Sequence, residues 1–443
     1  MANTVKFNEN YPNISNSLKL YEKLSNLIPA GTQTLAKGVT QHVFGVAPIF
    51  LESGDGCIVR DVDGNDYLDY TMGVGPLSLG YNYQPVNNAI LSQLKNGIVF
   101  SLVHPLELEV AELINEIIPN AEMVRFSKSG ADVASAAIRL ARAFTGKNKI
   151  LCCGYHGWHD WYISVTDRNK GIPKTVQDLS FTFNYNDINS VLDSMDDDIA
   201  AIILEPVVFD EPKDDFLLKL RQICDEKGIV LIFDEMWTGF RMALGGAQEY
   251  FNIKADLAIF SKACANGMPI SIITGKKEIM QLLDKEVFFF TTFGGETLSL
   301  AATIATINEI RDKNVINHLY KMGNQLRNGI NQLLEKYNIN YIKVKGYDFR
   351  LMISIENTNQ NPLLIKSYIQ QELIKCGILW SGYHNMSFAH KEEHINYTIS
   401  AYDLVLEKLN IEIENSTLDK SLKGKPLEPV FRKVGNFNMK PKI

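Results

Sequence analysis

The strongest constraint in this sequence is a set of short, almost wholly apolar runs that each stop at a polar or charged residue. Ile199 to Leu204 stops at Glu205, Gly228 to Phe233 stops at Asp234, and Asp256 to Phe260 runs out into Ser261-Lys262. Apolar runs of about four to eight residues without alternation suit strands that are covered on both faces. Helical patterns separate them, as at Asp214 to Glu226 and at Val133, Ala136, Ala137, Leu140, Ala141 and Phe144. This alternation predicts an α/β chain with a mostly parallel central sheet and helices on both faces. Ligands of such sheets bind beyond the carboxyl ends of the strands. Ser129, Tyr155, Glu205, Asp234 and Lys262 all fall at such ends.

A lysine at a strand end is either a solvated surface charge or a buried nucleophile. Asp234, 28 residues before Lys262, ends another apolar run. A lysine and a carboxylate ending two strands are the pair that a pyridoxal phosphate site requires. The amine forms a Schiff base with the cofactor, and the carboxylate keeps the ring nitrogen protonated so that the ring acts as an electron sink.

Other segments bear on that reading. Met123 to Phe126 is a short strand, Ser127-Lys128-Ser129-Gly130-Ala131-Asp132 is a small-residue turn, and a helix follows at once. Free backbone N–H groups and the helix dipole make such a turn a seat for an anion. A plain capped helix, with Ser129 or Asp132 near its start, is the alternative reading. The turn lacks a Gly-Lys-Ser/Thr ending, which disfavours a nucleoside triphosphate. The strand Lys149 to Cys153 delivers Tyr155-His156-Gly157-Trp158-His159-Asp160. Two loop histidines without further ligand partners are weak grounds for a metal site, and no metal is expected. An aromatic residue against a planar ligand ring fits the pyridoxal reading better. Asp61, Asp63, Asn65 and Asp66 lie in the turn of a β-hairpin between Ile49 and Tyr70; Gly64 falls too early for a calcium loop.

Hydrophobic content of 46% and charged content of 21% are ordinary for a soluble globular chain of 443 residues. A net charge of -7 argues against a nucleic-acid partner. The six cysteines show no metal-ligand spacing or dense disulfide framework, so reduced thiols in a cytoplasmic protein are expected. The polar start, Met1 to Asn10, has no signal-peptide core, and no apolar run approaches the length of about 18 residues that a membrane helix needs. The expected division is an N-terminal segment with a helix and hairpin (1–75), a large domain (76–325), a small C-terminal α+β domain (326–413) and an irregular extension (414–443).

Four signatures occur in order. They are Asp234-Glu235-Met236-Trp237-Thr238-Gly239-Phe240-Arg241, Leu244-Gly245-Gly246-Ala247-Gln248-Glu249-Tyr250-Phe251, Phe260-Ser261-Lys262 with Gly267-Met268-Pro269, and Thr292-Phe293-Gly294-Gly295. With them, residues 29 to about 410 resemble the class III pyridoxal-phosphate aminotransferases, and most closely the glutamate-1-semialdehyde 2,1-aminomutase branch. The resemblance implies the aspartate-aminotransferase-type fold (fold type I) with a smaller terminal domain. It implies that Lys262 carries the cofactor and shuttles the proton, and that Asp234 pairs with the ring nitrogen. Gly130 and Ala131, with Ser129 beside them, would meet the phosphate, and Tyr155 would stack on the ring with His156 next to it. Glu205 would lie on the substrate side. Thr292 would reach the phosphate of the neighbouring subunit in a homodimer.

The chain departs from the aminomutase pattern at positions expected to surround the substrate. Thr34-Leu35-Ala36-Lys37 puts a lysine where that branch has an arginine, and Val74 precedes Gly75-Pro76 where it has tryptophan. Val165 to Pro173, with Arg168, replaces a small-residue loop, and Glu296 replaces an asparagine. A lysine is a point charge, whereas an arginine grips a carboxylate with two parallel bonds. These departures favour an intermolecular aminotransferase. It would move an amino group from a donor such as glutamate to a small carbonyl or sugar acceptor, as in surface-polysaccharide synthesis. Conversion of glutamate-1-semialdehyde to 5-aminolevulinate is the alternative. A non-catalytic binding protein on the same fold is the third reading.

Overall fold

The computed structural model describes residue 8 and residues 10–429; the first residues and the last part of the proline-bearing extension, 430–443, lie outside the described residues. The described chain forms two compact units, Gln84–Ile316 and a second built from the residues up to Tyr83 together with those from Asn317 onward.

The second unit begins with the helix Ser15–Ser25, then an antiparallel run of β1 (Leu51–Asp55), β2 (Ile58–Asp61) and β3 (Asp66–Asp69). The acidic turn between β2 and β3 is backbone capping, as turn chemistry requires. Asp61 Oδ1 accepts from the amides of Asp63 (3.0 Å) and Asn65 (2.8 Å). Asp63 accepts from Asn16 N (2.7 Å) and Ser17 N (2.9 Å), so the turn also ties down the start of the first helix.

The large unit holds seven strands: β4 (Met123–Ser127), β5 (Lys149–Cys153), β6 (Ser180–Thr182), β7 (Ile199–Leu204), β8 (Val230–Asp234), β9 (Leu257–Phe260) and β10 (Ser271–Gly275). Their order is β4-β10-β9-β8-β7-β5-β6. All neighbours pair in parallel except β10, which runs antiparallel to both β9 and β4. Two reversals cancel, so β4 points the same way as β5, β7, β8 and β9, and the carboxyl ends of all five lie on one edge. Every residue of β7, β8 and β9 is buried, which is why these runs do not alternate. The helix Gly130–Thr145 buries Val133, Ala136, Ala137, Ile138, Leu140 and Ala141 in the same core. Each large aliphatic side chain so covered contributes about 1.5–3 kcal/mol, and the alanines allow close approach to the strands. Gly146, at φ 68, ends the helix in the left-handed conformation.

The remainder of the smaller unit supplies β11 (Ile342–Tyr347), β12 (Arg350–Ile355), β13 (Ile378–Leu379) and β14 (Tyr383–Asn385), with helices Pro362–Lys375 and Glu392–Glu414. β11, β12 and β14 form an antiparallel sheet, while β13 adds to β3 in parallel and extends the N-terminal hairpin sheet. Between these elements lies a cluster of histidine and tyrosine. Tyr70 stacks on His390 (4.7 Å between centroids) and meets His384 edge-on (4.9 Å). Tyr402 Oη lies 3.1 Å from His384 Nε2, and His390 Nδ1 accepts from Ser387 N at 3.0 Å.

Burial pushes both His384 and His390 down to about 3, from an ordinary value of 6.5. The unfolded chain therefore takes up protons below 6.5 that the folded chain refuses, and stability present above 6.5 is lost as the pH falls. His384→Gln is expected to flatten the acid limb of stability against pH by about 1.4 kcal/mol per pH unit. Urea unfolding midpoints between about pH 6 and pH 4 would check this; an unchanged limb contradicts it.

Candidate active site

At the end of β8, Asp234 is 2% exposed. Its Oδ2 lies 2.8 Å from His156 Nδ1, and its Oδ1 accepts from Met236 N at 3.1 Å. His156 comes from the loop after β5 and is also 2% exposed; its Nε2 lies 3.1 Å from Cys153 O. Both ring nitrogens thus face oxygen acceptors. The imidazole is enclosed by Trp161 (6.1 Å, stacked) and Tyr162 (5.3 Å, edge-on). Those rings are themselves anchored: Trp161 Nε1 donates to Ser135 Oγ at 3.0 Å and Tyr162 Oη to Gly154 O at 2.7 Å.

The turn after β4 is a capping box. Asp132 N donates to Ser129 Oγ (3.3 Å), and Asp132 Oδ2 accepts from Ser129 N (3.0 Å) and Ser127 Oγ (2.9 Å). Burial alone would raise the Asp132 carboxyl, but these hydrogen bonds outweigh it and hold it below its usual range. The structure thus shows the capped-helix reading of this turn. The box leaves the amides of Gly130 and Ala131, at the first two helical positions, without carbonyls inside the helix. The cradle is also bare: a Cβ on Gly130 would lie 3.0 Å from Met236 Sδ. Gly157, at φ 99, packs against Ala131, and a Cβ there would sit 2.7 Å from the alanine's. This contact locks the Tyr155-His156-Gly157 loop to the helix start.

Tyr155 is 45% exposed, meets Tyr162 edge-on at 5.6 Å, and donates its amide to Glu205 Oε1 at 2.8 Å. Burial, followed by the charges of Asp234 and Glu205, raises the pKa of its hydroxyl. Glu205 at the end of β7 thus holds the Tyr155 loop. Lys262 follows β9 at φ 43, in the short turn Lys262–Ala265. Its Nζ lies 4.1 Å from the centre of the Trp237 ring, which also has the Arg241 guanidinium at 5.3 Å. Glu235 N donates to Ile259 O (2.9 Å), fixing the end of β8 against β9 just before the lysine.

Ser129, Gly130, Ala131, Tyr155, His156, Glu205, Asp234 and Lys262 therefore converge on one edge of one sheet. Thr292 is exposed in the loop before the helix Thr297–Asp312, and Arg168 is exposed in the loop after Ile163. Lys37, in the turn Leu35–Lys37, and Val74, in the turn Met72–Val74, belong to the other unit. Glu296 caps the helix through Leu298 N (2.6 Å) and Ser299 N (3.2 Å) and pairs with Lys128 at 3.0 Å. Its difference from asparagine is thus spent on the helix start. Sequence reasoning missed Trp237, Met236, Trp161 and Tyr162 as builders of the site. Met236 lies in the turn after β8, where its amide is taken by Asp234, and no periodicity marks such a position.

The residues fit pyridoxal phosphate: amides at a bare helix start, a buried carboxylate for a ring nitrogen, a half-exposed aromatic face and a lysine on the adjacent strand. For metal the position is different. Among the described residues no group of three or more His, Cys, Asp or Glu is placed to hold an ion; His159 Nδ1 lies 2.6 Å from Ser135 Oγ.

The family model described as Aminotransferase class-III matches residues 40–390. The 3-aminobutyryl-CoA aminotransferase of Cloacimonas acidaminovorans is 33% identical over 402 residues, covering 88% of this chain and 96% of that protein. The glutamate-1-semialdehyde 2,1-aminomutase of Methanococcoides burtonii is 34% identical, covering 89% and 99%. Among solved structures, the PLP internal aldimine form of the FumI protein of Sphingopyxis sp. MTA144 superposes with a TM-score of 0.85 at 26% identity, covering 93% of this chain and 99% of that one.

A hydrogen bond to a charged group contributes about 1.5–3 kcal/mol. His156→Phe removes the side-chain donor to Asp234 and is expected to lower kcat/KM roughly ten- to a hundredfold. Steady-state kinetics alongside circular dichroism would check this; full activity in a folded variant contradicts it.

Proposed function

From the premise that this chain belongs to the class III aminotransferases, a pyridoxal-phosphate-dependent family, we propose that it transfers an amino group between two separate small molecules. The donor is an amino acid such as glutamate, and the acceptor is a small carbonyl compound or sugar. The observation that carries this reading is Val74. It sits at φ 70 in a tight turn, followed by Gly75 at φ 98. A β-branched residue in the left-handed region is strained, and such strain is tolerated where a site needs it. The aminomutase branch has tryptophan at this position, and the departure to valine supports a different acceptor. The similarity to a 3-aminobutyryl-CoA aminotransferase supports the same reading. Similarity to the aminomutases supports the second reading, isomerisation of glutamate-1-semialdehyde.

When bound, pyridoxal phosphate supplies the electron sink that stabilises charge on the substrate carbon. The side chains of this chain do the rest. Gly130 and Ala131 offer amides to the phosphate, with Ser129 holding the turn. Asp234, held by His156, would pair with the ring nitrogen, and Tyr155 would offer its ring to the cofactor. Lys262 must be neutral to attack a carbonyl. Once the donor amine had displaced it, its Nζ would be free to take the proton from the donor carbon and hold it for return to the product. The Trp237 ring, 4.1 Å away, favours the ammonium that forms when the proton arrives.

The active unit is a homodimer in which Thr292 reaches the partner's cofactor phosphate. Leu102 (84%), Val103 (85%), Phe288 (73%) and Phe293 (58%) are exposed, and contiguous exposed apolar side chains mark protein–protein contacts. The loop before Leu102 is tied to the Thr292 loop, because Thr297 N donates to Ile98 O at 3.0 Å. One such surface would therefore bury both loops.

Lys262→Ala is expected to abolish the visible cofactor absorbance and turnover; a variant that keeps both overturns the assignment. Mixing the holoenzyme with glutamate alone should release one equivalent of 2-oxoglutarate per site. Production of 5-aminolevulinate from the semialdehyde, with no release from any donor, would favour the aminomutase. Sedimentation should give about twice the 49.9 kDa chain mass. Thr292→Ala should weaken cofactor retention by about 1 kcal/mol, the size of one lost hydrogen bond; a monomer with full activity contradicts the shared site.

A further inference from the structure

The smaller unit gathers cationic side chains around one tyrosine ring. Arg350 on β12 pairs with Asn385 on β14, so Tyr383, two residues before Asn385, is its diagonal neighbour on the same face. The Arg350 guanidinium carbon lies 5.2 Å from the centre of the Tyr383 ring. Lys366, from the helix Pro362–Lys375, brings its Nζ to 5.6 Å from the same ring. The backbone under that amine has to be bare, since a Cβ on Gly382 would lie 2.4 Å from Lys366 Nζ.

The third group is placed by Gln370, one helical turn beyond Lys366 and on the same helix face. Gln370 Oε1 accepts from Val43 N (2.7 Å), and its Nε2 donates to Gln41 O (3.2 Å) and Trp380 O (2.8 Å). These bonds hold the segment carrying His42 beside the helix. The Nδ1 of His42 is buried and has no hydrogen-bond partner. Burial, and after it the charge of Lys366, pushes His42 down to about 4. Burial alone, with no acidic neighbour contributing, pushes the Lys366 amine down to about 8. Below about pH 8 the Lys366 amine is charged, and the neutral His42 ring has a buried Nδ1 free to bond; an anion placed beside them gains from both.

We propose that Lys366, His42 and Arg350 form a binding site for a compact oxyanion, a carboxylate or phosphate group carried by a small molecule. Binding raises the proton affinity of Lys366, because an opposite charge favours the ammonium. The anion is therefore held below about pH 8 and released as the amine loses its proton above it. None of the residues assigned to the cofactor belongs to this site, so it does not rest on the transamination reading.

The test uses the full-length holoenzyme, whose cofactor already fills the phosphate seat after β4. Sulfate stands in for a phosphate group and acetate for a carboxylate. Each lysine is followed by peptide-resolved labelling with an amine-reactive reagent, with the exposed Lys277 as internal control. If binding raises the Lys366 amine by one pH unit, labelling at neutral pH slows about tenfold, while Lys277 is unchanged. Whichever of the two anions gives the larger effect identifies the group. Sulfate should also raise Tm further in the native protein and in Lys366→Arg than in Lys366→Met, over the general rise that excluded sulfate gives any folded variant. Three results overturn the proposal: neither anion slows Lys366, both lysines slow equally, or Lys366→Met keeps the native sulfate response. The labelling arm needs no variant, so a misfolded Lys366→Met leaves the proposal open to refutation.

Discussion

Asp234 carries a carboxylate almost wholly removed from water, and much of the large unit is arranged to satisfy its oxygens there. Withdrawing such an ion from solvent costs several kcal/mol unless its oxygens are hydrogen-bonded. One oxygen takes the Met236 amide and the other the His156 ring. The histidine then needs a place for its second nitrogen, which Cys153 O provides, and walls, which Trp161 and Tyr162 provide. The loop after β5 must therefore reach the end of β8 across β7. That is possible only because all three strands run the same way.

The remaining acids of the site edge serve the backbone. Glu205 accepts from Tyr155 N, Asp132 closes the cap at Ser129, and Glu296 starts a helix. Glu235, adjacent to Asp234 in sequence, turns the other way and accepts from Ala247 N (2.8 Å) and Gln248 N (3.1 Å). Burial raises it to about 7, against the pull of those bonds. Two neighbouring carboxylates in one signature thus separate into a group facing the site and a group bracing the loop behind it.

Much of this was legible in the sequence because the signals were local. Unbroken apolar runs mark strands buried on both faces, and the polar residue that stops each run marks where the chain leaves the sheet. The helix after Ser129 was readable from its cap and its alanines. What stayed hidden depends on contacts between distant residues. The pairing of β13 with β3 joins segments about 310 residues apart (Ile378 with Leu68), and no periodicity announces it. Trp161 and Tyr162 look like ordinary core residues until the loop folds them around His156. Glu296 looked like a substrate-side difference, whereas its oxygens are occupied by a helix start and Lys128.

The reversed strand β10 sets a ruler across the site. Strands in a sheet lie about 4.8 Å apart. With β10 inserted between β4 and β9, the anion seat stands two spacings, about 10 Å, from the strand that carries the lysine. The strand that carries Asp234 stands one spacing further on. β10 itself begins at this edge, so it contributes a chain entering the sheet and no strand-end residue of its own. A molecule clasped by all three must be anionic at one end, reactive in the middle and basic at the other end. A much shorter molecule would reach only two of the three.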